Sequence, residues 1–348
     1  MKKIRFGMIG SGYMGRTHAE AVKRLPERAE LTAVWGGSRA PELAQQLGIR
    51  AEKTLASLIA SPDVDAVVIT TPHHLHADET VAAMEAGKHV LVDKPLATKV
   101  EDCDRMIAAA VKYQRVLGTG YHQRFRRNNY TTRDLIRGGA IGDVLTVQIN
   151  QPFYIKGLRQ EKFGSTWAWW DLPESVGHLL NSFPHGLDLM RWILESEVAT
   201  VSAFCRTYEP NLPVEDTTLA LVEWSQGAVG SLFSTRALPA PVFEGENCRI
   251  RIMGSKGLID LDPFVDLRIA DEKGWRTICS QPVVGAEDAK LAFGDGRMQA
   301  FRDQIASFID GIEGKPMAAG SGTDGRASVA TCVAMLQSSR ERRWVTVR

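Results

Sequence analysis

A doubly wound parallel α/β domain, followed by an α+β domain on an open, mainly antiparallel sheet, is the fold class that this 348-residue chain predicts. Three observations carry that reading. Apolar strand-like runs alternate with helical patterns from residue 4 to about residue 120, the rhythm then changes to longer strand-like runs joined by short turns, and the length exceeds what one core usually organises. The expected domains are residues 1–121 and 122–348.

The first strand, Ile4 to Ile9, runs into Gly10-Ser11-Gly12-Tyr13-Met14-Gly15 and a helical pattern. In that context Gly10 permits a tight turn, Gly12 lets backbone amides approach a pyrophosphate, and Gly15 allows close helix–strand packing. The helix start, through Tyr13 and Met14, supplies unpaired N–H groups and a positive dipole end. Further strands are expected at Leu31 to Trp35, Ala66 to Thr70, His89 to Val92 and Val116 to Gly118. This βαβ rhythm demands a parallel sheet covered on both faces, with ligands at the carboxyl ends of its strands. Beyond Tyr121 a helix near Thr132 to Arg137 leads into a strand at Val144 to Ile149. Leu219 to Trp224, Ala228 to Ser234, Arg249 to Met253 and Leu258 to Leu261 then read as an antiparallel meander joined by Ser225-Gln226-Gly227 and Gly254-Ser255-Lys256-Gly257. Met298 to Gly311 and Gly325 to Arg340 are again helical.

Composition narrows the partners. With 42 Lys and Arg against 41 Asp and Glu and no long run of one sign, neither nucleic acid nor a membrane surface is implied, and a small molecule is the expected partner. The five cysteines are odd in number, widely spaced and without a C-x-x-C pair, which argues against a disulfide framework or a zinc ribbon and suits a reducing cytoplasm. Met1-Lys2-Lys3 leads directly into the strand and no apolar run reaches spanning length, so a soluble, unexported protein is expected.

Three clusters carry candidate chemistry. Thr71-Pro72-His73-His74-Leu75-His76 follows the Ala66 to Thr70 strand, whose end should face the cofactor. No His pair has the helical spacing beside a Glu that zincins use, so no metal is expected; Thr71, Pro72, His73 and His76 read as polar turn residues beside a ribose and nicotinamide. The next strand ends in Asp93-Lys94-Pro95, and a lysine at the carboxyl edge of a parallel sheet, followed by a proline of fixed φ, can orient a hydroxyl and stabilise alkoxide character. The third cluster, Asn181 to Asp188, places Asn181 and His185 four apart on one helical face with Asp188 a turn beyond, and His185 has the pKa range of a base. Trp167-Ala168-Trp169-Trp170 offers aromatic faces for a sugar, with Lys156, Arg159 and Lys162 nearby, or a core or interface. Arg124, Arg126 and Arg127 either contact an anionic substrate or pair structurally; Tyr154 and His122 are further candidate bases, and Gln123 a further cofactor contact.

Together Gly10-x-Gly12-x-x-Gly15, Thr71-Pro72 with His76, Ala86-Gly87-Lys88-His89-Val90-Leu91-Val92-Asp93-Lys94-Pro95-Leu96-Ala97, the Tyr121 to Phe125 run and His185 with Asp188 resemble the Gfo/Idh/MocA family over nearly the whole chain. The resemblance implies a Rossmann domain carrying NAD or NADP and a second domain whose open sheet floors the site of a carbohydrate substrate and makes a homo-oligomer, a dimer or tetramer. It implies Lys94 and His185 as catalytic residues, with Asn181 beside them and His122, Arg124, Tyr154, Trp167 and Trp170 around the substrate. The chain departs from the family's pattern in three places. Asn181 stands where many relatives have an aspartate able to relay protons, and Asp93 replaces the commoner Glu before the lysine. The second strand ends Trp35-Gly36-Gly37-Ser38-Arg39, without an acid for a ribose diol, which favours NADP slightly, with Ser38 and Arg39 around the 2′-phosphate.

The expected activity is a cytoplasmic NAD(P)-dependent dehydrogenase or reductase acting on a secondary hydroxyl or ketone of a sugar or derivative. The alternatives are an NAD-dependent glycoside hydrolase working by transient oxidation at C3, on an acidic glycoside, and a non-enzymatic cofactor-sensing regulator, against which the retention of Lys94 and His185 speaks.

Overall fold

A computed structural model of the chain describes residues 3–152, 169–237, 248–281 and 293–348. The described residues divide into two units that alternate along the sequence, one within 1–122 and 286–326, the other within 123–285 and 327–348.

The first unit is built on a seven-stranded sheet. In chain order its elements are β1 (Ile4–Ile9), α1 (Tyr13–Lys23), β2 (Ala29–Trp35), α2 (Ala40–Leu47), β3 (Arg50–Ala51), α3 (Leu55–Ala60), β4 (Ala66–Ile69), α4 (His76–Glu85), β5 (His89–Val92), α5 (Val100–Tyr113) and β6 (Leu117–Thr119). The parallel strands lie in the order β6-β5-β4-β1-β2-β3. The order reverses between β1 and β4, the switch point at which doubly wound sheets open a crevice for ligands. All four residues of β4 are buried, as a strand covered on both faces requires.

This unit also takes a segment that the sequence expectation had given to the second domain. A helix over Asp295–Ile312, here α9, packs Met298, Phe301, Ile305, Phe308 and Ile309 into the same core as Phe6, Met8, Val34, Val68 and Leu91. Each such side chain stabilises its burial site by about 1.5–3 kcal/mol, enough for this amphipathic face to fix the helix to the first sheet. A two-residue strand, Gly320–Ser321, then adds antiparallel to β6. The chain first passes from one unit to the other after His122, and residues 293–326 belong again to the first unit.

The second unit carries a nine-stranded mixed sheet. Its described elements include α6 (Arg127–Arg137), β7 (Val144–Pro152), α7 (His178–Ser182), α8 (Pro184–Leu194), β8 (Val198–Arg206), β9 (Thr217–Trp224), β10 (Val229–Thr235), β11 (Arg249–Gly254) and β12 (Leu258–Leu261). Two strands that the meander reading omitted, Asp266–Asp271 and Gly274–Ser280, extend one edge. The ladders are antiparallel except β7 with β10, which pair parallel because the intervening chain crosses over. β9 alternates strictly: Thr218, Ala220, Val222 and Trp224 are buried, while Leu219, Leu221 and Glu223 are exposed. One face is therefore packed and the other open. No helix among the described residues is long and apolar enough to cross a membrane.

Candidate active site

The dinucleotide turn is shaped by contacts within the first unit. Gly10 sits at φ 110°, and a Cβ on Gly15 would lie 2.2 Å from the Gly10 carbonyl oxygen, so both positions need glycine for the turn itself. Gly12 differs: a Cβ there would meet nothing within 4 Å. Its missing side chain leaves an open approach to α1, whose first turn has no side-chain cap. An uncapped helix start with clear space before it fits a dinucleotide pyrophosphate. After β2, Gly36 and Gly37 have φ of 94° and 76°, and Ser11 Oγ donates to the Gly36 carbonyl at 2.6 Å, which holds this loop beside the glycine turn. Ser38 and Arg39, beyond it, are exposed.

At the ends of β4 and β5 the polar residues divide by role. Thr71 Oγ1 donates to Glu79 Oε2, and burial pushes the Glu79 carboxyl up to about 7. His76 is fully buried, with Nδ1 3.0 Å from the Pro95 carbonyl and Nε2 2.8 Å from that of Thr71. Its two nitrogens face backbone, so the ring shapes the turn and does not present a polar edge to a ligand, contrary to the expected direct cofactor contact. His73 is buried beside it, ring centroids 5.4 Å apart, and burial holds it well below the usual histidine range. Pro72 leads into the short helical turn His73–Leu75. Lys88, within the glycine–lysine–histidine motif, donates to the carbonyls of Ser61 and Val64 at 2.9 and 2.7 Å and is structural. Lys94 is half-buried, and burial lowers its ammonium below the ordinary lysine value, with Asp93 opposing. The Lys94–Pro95 peptide bond is cis.

Sequence reasoning missed Arg297. On α9, its guanidinium lies 5.2 Å from the Tyr13 ring and 4.9 Å from that of Phe301, in the field of Asp93. His122 stacks on the same Phe301 ring at 3.9 Å and is buried. The signal, a lone arginine at the start of a distant helix, has no meaning until that helix is known to join the first unit.

In the second unit the helical stretch breaks into α7 and α8 because Pro184 has no N–H to give, yet Phe183 between them stays in the right-handed helical region. Asn181 is fully buried and its Nδ2 faces the carbonyls of Ser175, at 3.2 Å, and Gly177. Carbonyls only accept, so the amide nitrogen must be the atom turned to them. Asp188 binds Arg124 through two hydrogen bonds, Nε to Oδ2 at 2.8 Å and Nη2 to Oδ1. Arg124 is 6% and Asp188 1% exposed, which resolves the open alternative for this arginine toward a structural pair in place of a substrate contact. Gln123 holds Asn129 through its carbonyl, at 2.8 Å. His185 is half-buried. Trp170 is buried with its carbonyl bound to Ser175, edge-on to Trp169 at 6.2 Å, and so packs in this unit as core. Tyr154 and Trp167, with Lys156, Arg159 and Lys162, lie outside the described residues. Among the described residues no group of three or more His, Cys, Asp or Glu is placed to hold a metal.

Two models of one oxidoreductase family match the chain, its NAD-binding Rossmann fold over residues 4–121 and its C-terminal alpha/beta domain over residues 133–347. The chain belongs to the Gfo/Idh/MocA oxidoreductase family. This Gfo/Idh/MocA member is 28% identical to the inositol 2-dehydrogenase 3 of Saccharopolyspora erythraea, over 96% of its own length and 93% of that protein's. It is likewise 28% identical to the myo-inositol 2-dehydrogenase of Thermotoga maritima, over 98% of each chain. Among solved structures it is similar to a levoglucosan dehydrogenase in complex with NADH and levoglucosan, with a TM-score of 0.83, 25% identity and coverage of 99% of this chain and 100% of that one. The chain is therefore an oxidoreductase with an NAD-binding Rossmann domain.

Proposed function

We propose that this oxidoreductase acts on a secondary hydroxyl or ketone of a sugar, cyclitol or related polyol, with Lys94 and His185 as its catalytic residues. The observation that carries the reading is the half-buried Lys94 at the carboxyl end of β5, in the same sheet as the parallel strand β1, which ends in the open glycine turn two strands away across β4. The names of the similar proteins, inositol and levoglucosan dehydrogenases, support the substrate class.

The residues that hold the cofactor in this reading are Gly10, Gly12 and Gly15 with the amides of Tyr13 and Met14 at the pyrophosphate, Ser38 and Arg39 at the adenosine end, and Thr71, Pro72, His73 and Asp93 toward the nicotinamide. The bound nicotinamide supplies the two-electron oxidation or reduction of the substrate carbon. Lys94 Nζ donates a hydrogen bond to the substrate oxygen and stabilises its alkoxide character; its lowered pKa keeps that proton mobile. His185 takes the hydroxyl proton on oxidation and returns it on reduction. Asn181, turned to the Ser175 and Gly177 carbonyls, fixes the start of α7 one turn before His185 and carries no proton itself. Because no acid follows β2, NADP is proposed as slightly preferred over NAD. The open face of the second sheet, where Phe204, Leu219 and Leu221 are exposed and Leu219 pairs with Phe204 across neighbouring strands, is proposed to seat a second copy.

The test is to follow reduced-nicotinamide absorbance with NAD and NADP against a panel of cyclitols, sugars and anhydrosugars, on wild type and Lys94→Ala. Lys94→Ala is expected to lower kcat by about 10²–10³-fold with cofactor affinity retained. A variant keeping half of its kcat would remove Lys94 from the chemistry.

A further inference from the structure

Lys94 lies between two anchored neighbours. On one side the Asp93 amide donates to the Ile69 carbonyl of β4 at 2.8 Å. On the other, the Pro95 carbonyl meets His76 Nδ1 at 3.0 Å, while Nε2 of the same ring meets the Thr71 carbonyl at 2.8 Å. We infer that His76 is the positioning residue of this site, a buried imidazole that ties the backbone after Lys94 to the turn after β4 and so fixes where the lysine stands.

Each contact restricts the ring's chemistry. Carbonyl oxygens only accept, so the ring, which burial keeps neutral, donates to one of them at a time, and in either tautomer both nitrogens face backbone. The side chain is 0% exposed. It therefore acts on a ligand through the backbone it holds. The next residue on the same helical face, Glu79, three positions along α4, accepts the hydroxyl of Thr71. The first turn of α4 thus grips the Thr71 turn at two points, from which His76 reaches across to Pro95. A lysine whose charge is disfavoured by burial needs such fixing, because relaxation of the loop toward water would restore its ordinary pKa.

The consequence for turnover rests on the proposed role of Lys94, but the geometry does not, and the test separates them. Lys94 ionisation is read by competitive acetylation with acetic anhydride across a pH series, quantified on the Lys94 peptide by mass spectrometry. NADH and NADPH binding are read in parallel by fluorescence. His76→Leu, which fills the space without donors, is expected to move the Lys94 midpoint upward by about half a unit or more, toward ordinary lysine. His76→Gln, which keeps a donor for one carbonyl, should move it less and in the same direction, with affinity for the reduced cofactor retained in both. Where a substrate has been found, kcat falls more than KM rises, by up to about 10²-fold for a misplaced group. An unmoved Lys94 titration in folded His76→Leu overturns the inference, as does a loss of cofactor affinity that accounts for the whole effect. If His76→Leu does not fold, His76→Gln alone decides, and zero shift overturns it. Absence of cofactor binding by the wild type, with the titration shift present, would sink the oxidoreductase site and leave the positioning role standing.

Discussion

Glu79→Gln is a substitution whose effect on stability can be worked out in sign and size. Glu79 is 6% exposed, accepts the hydroxyl of Thr71, and is held protonated up to about 7 by burial against an ordinary value of 4.5. Over that window the unfolded chain has released its proton and the folded chain keeps it, so the folded state binds more protons and stability falls as pH rises. Below the window the group contributes nothing, and above it the whole penalty is present. The difference between 7 and 4.5, at 1.36 kcal/mol per unit, gives about 3 kcal/mol. Glutamine keeps an acceptor for Thr71 and cannot ionise, so the variant loses this slope. Two backgrounds overlap it: Glu215, also pushed up to about 7 by burial, acts with the same sign, whereas buried His73 and His76, both lowered, make stability rise toward the unfolded histidine value. Both are common to the two proteins and cancel in the difference. Equilibrium urea unfolding of wild type and variant at intervals from about pH 4 to pH 8 supplies the curve, with the variant's advantage growing by about 3 kcal/mol across it. A flat difference curve would refute the buried, proton-holding carboxyl.

Arg39→Ala should weaken NADP more than NAD, by about 1.5–3 kcal/mol for a lost charge-assisted contact, as read by titrating each cofactor against wild type and variant; equal weakening would show that Arg39 does not read the 2′-phosphate. Asp188→Asn removes one charge of a buried ion pair, so unfolding should become easier by about 3–5 kcal/mol in urea, and a change below about 1 kcal/mol would mean that the pair does not hold the second unit together. Leu219→Lys with Leu221→Glu, both on the exposed side of β9, should reduce the assembled mass in sedimentation velocity without lowering the melting temperature; an unaltered mass would refute the proposal that this face seats a second copy.

How far the fold was legible follows from where its information lies. The limits of β5 and β12 agree with the expected His89 to Val92 and Leu258 to Leu261, because each is a short apolar run bounded by turn residues. Gly274–Ser280 was missed because it is the edge strand, exposed along most of its length and without the apolar alternation that marks a half-buried strand, whereas Asp266–Asp271 keeps that alternation at Leu267 and Ile269 but over only six residues with an aspartate at each end. The amphipathic period of α9 announces a helix but is silent on which sheet it covers, and that choice is made by side chains nearly three hundred positions from Phe6 and Met8.

The site was legible as chemistry and illegible as division of labour. Glycines at the end of β1 and a lysine at the end of β5 are local signals, each readable from its neighbours in sequence. Whether a polar residue is reactive or structural depends on what else has claimed its hydrogen bonds. Arg124 and Asp188 are 64 positions apart, so their pairing could not be read from either segment. His76 and Pro95 are 19 apart and pair through a backbone carbonyl, which every residue possesses. In the second unit Asn181, Ser182 and Asp188 each have partners that fix them: backbone carbonyls, Gln151 and Arg124. In the first, His76, Glu79 and Lys88 are fixed in the same way. The half-buried Lys94 and His185 thus each stand beside residues fixed by hydrogen bonds, as the proposed roles of donor and base require. Substitution of the frame residues should then register first in stability or in the ionisation of Lys94, and substitution of Lys94 or His185 first in turnover. That ordering separates a catalytic residue from the residues that hold it.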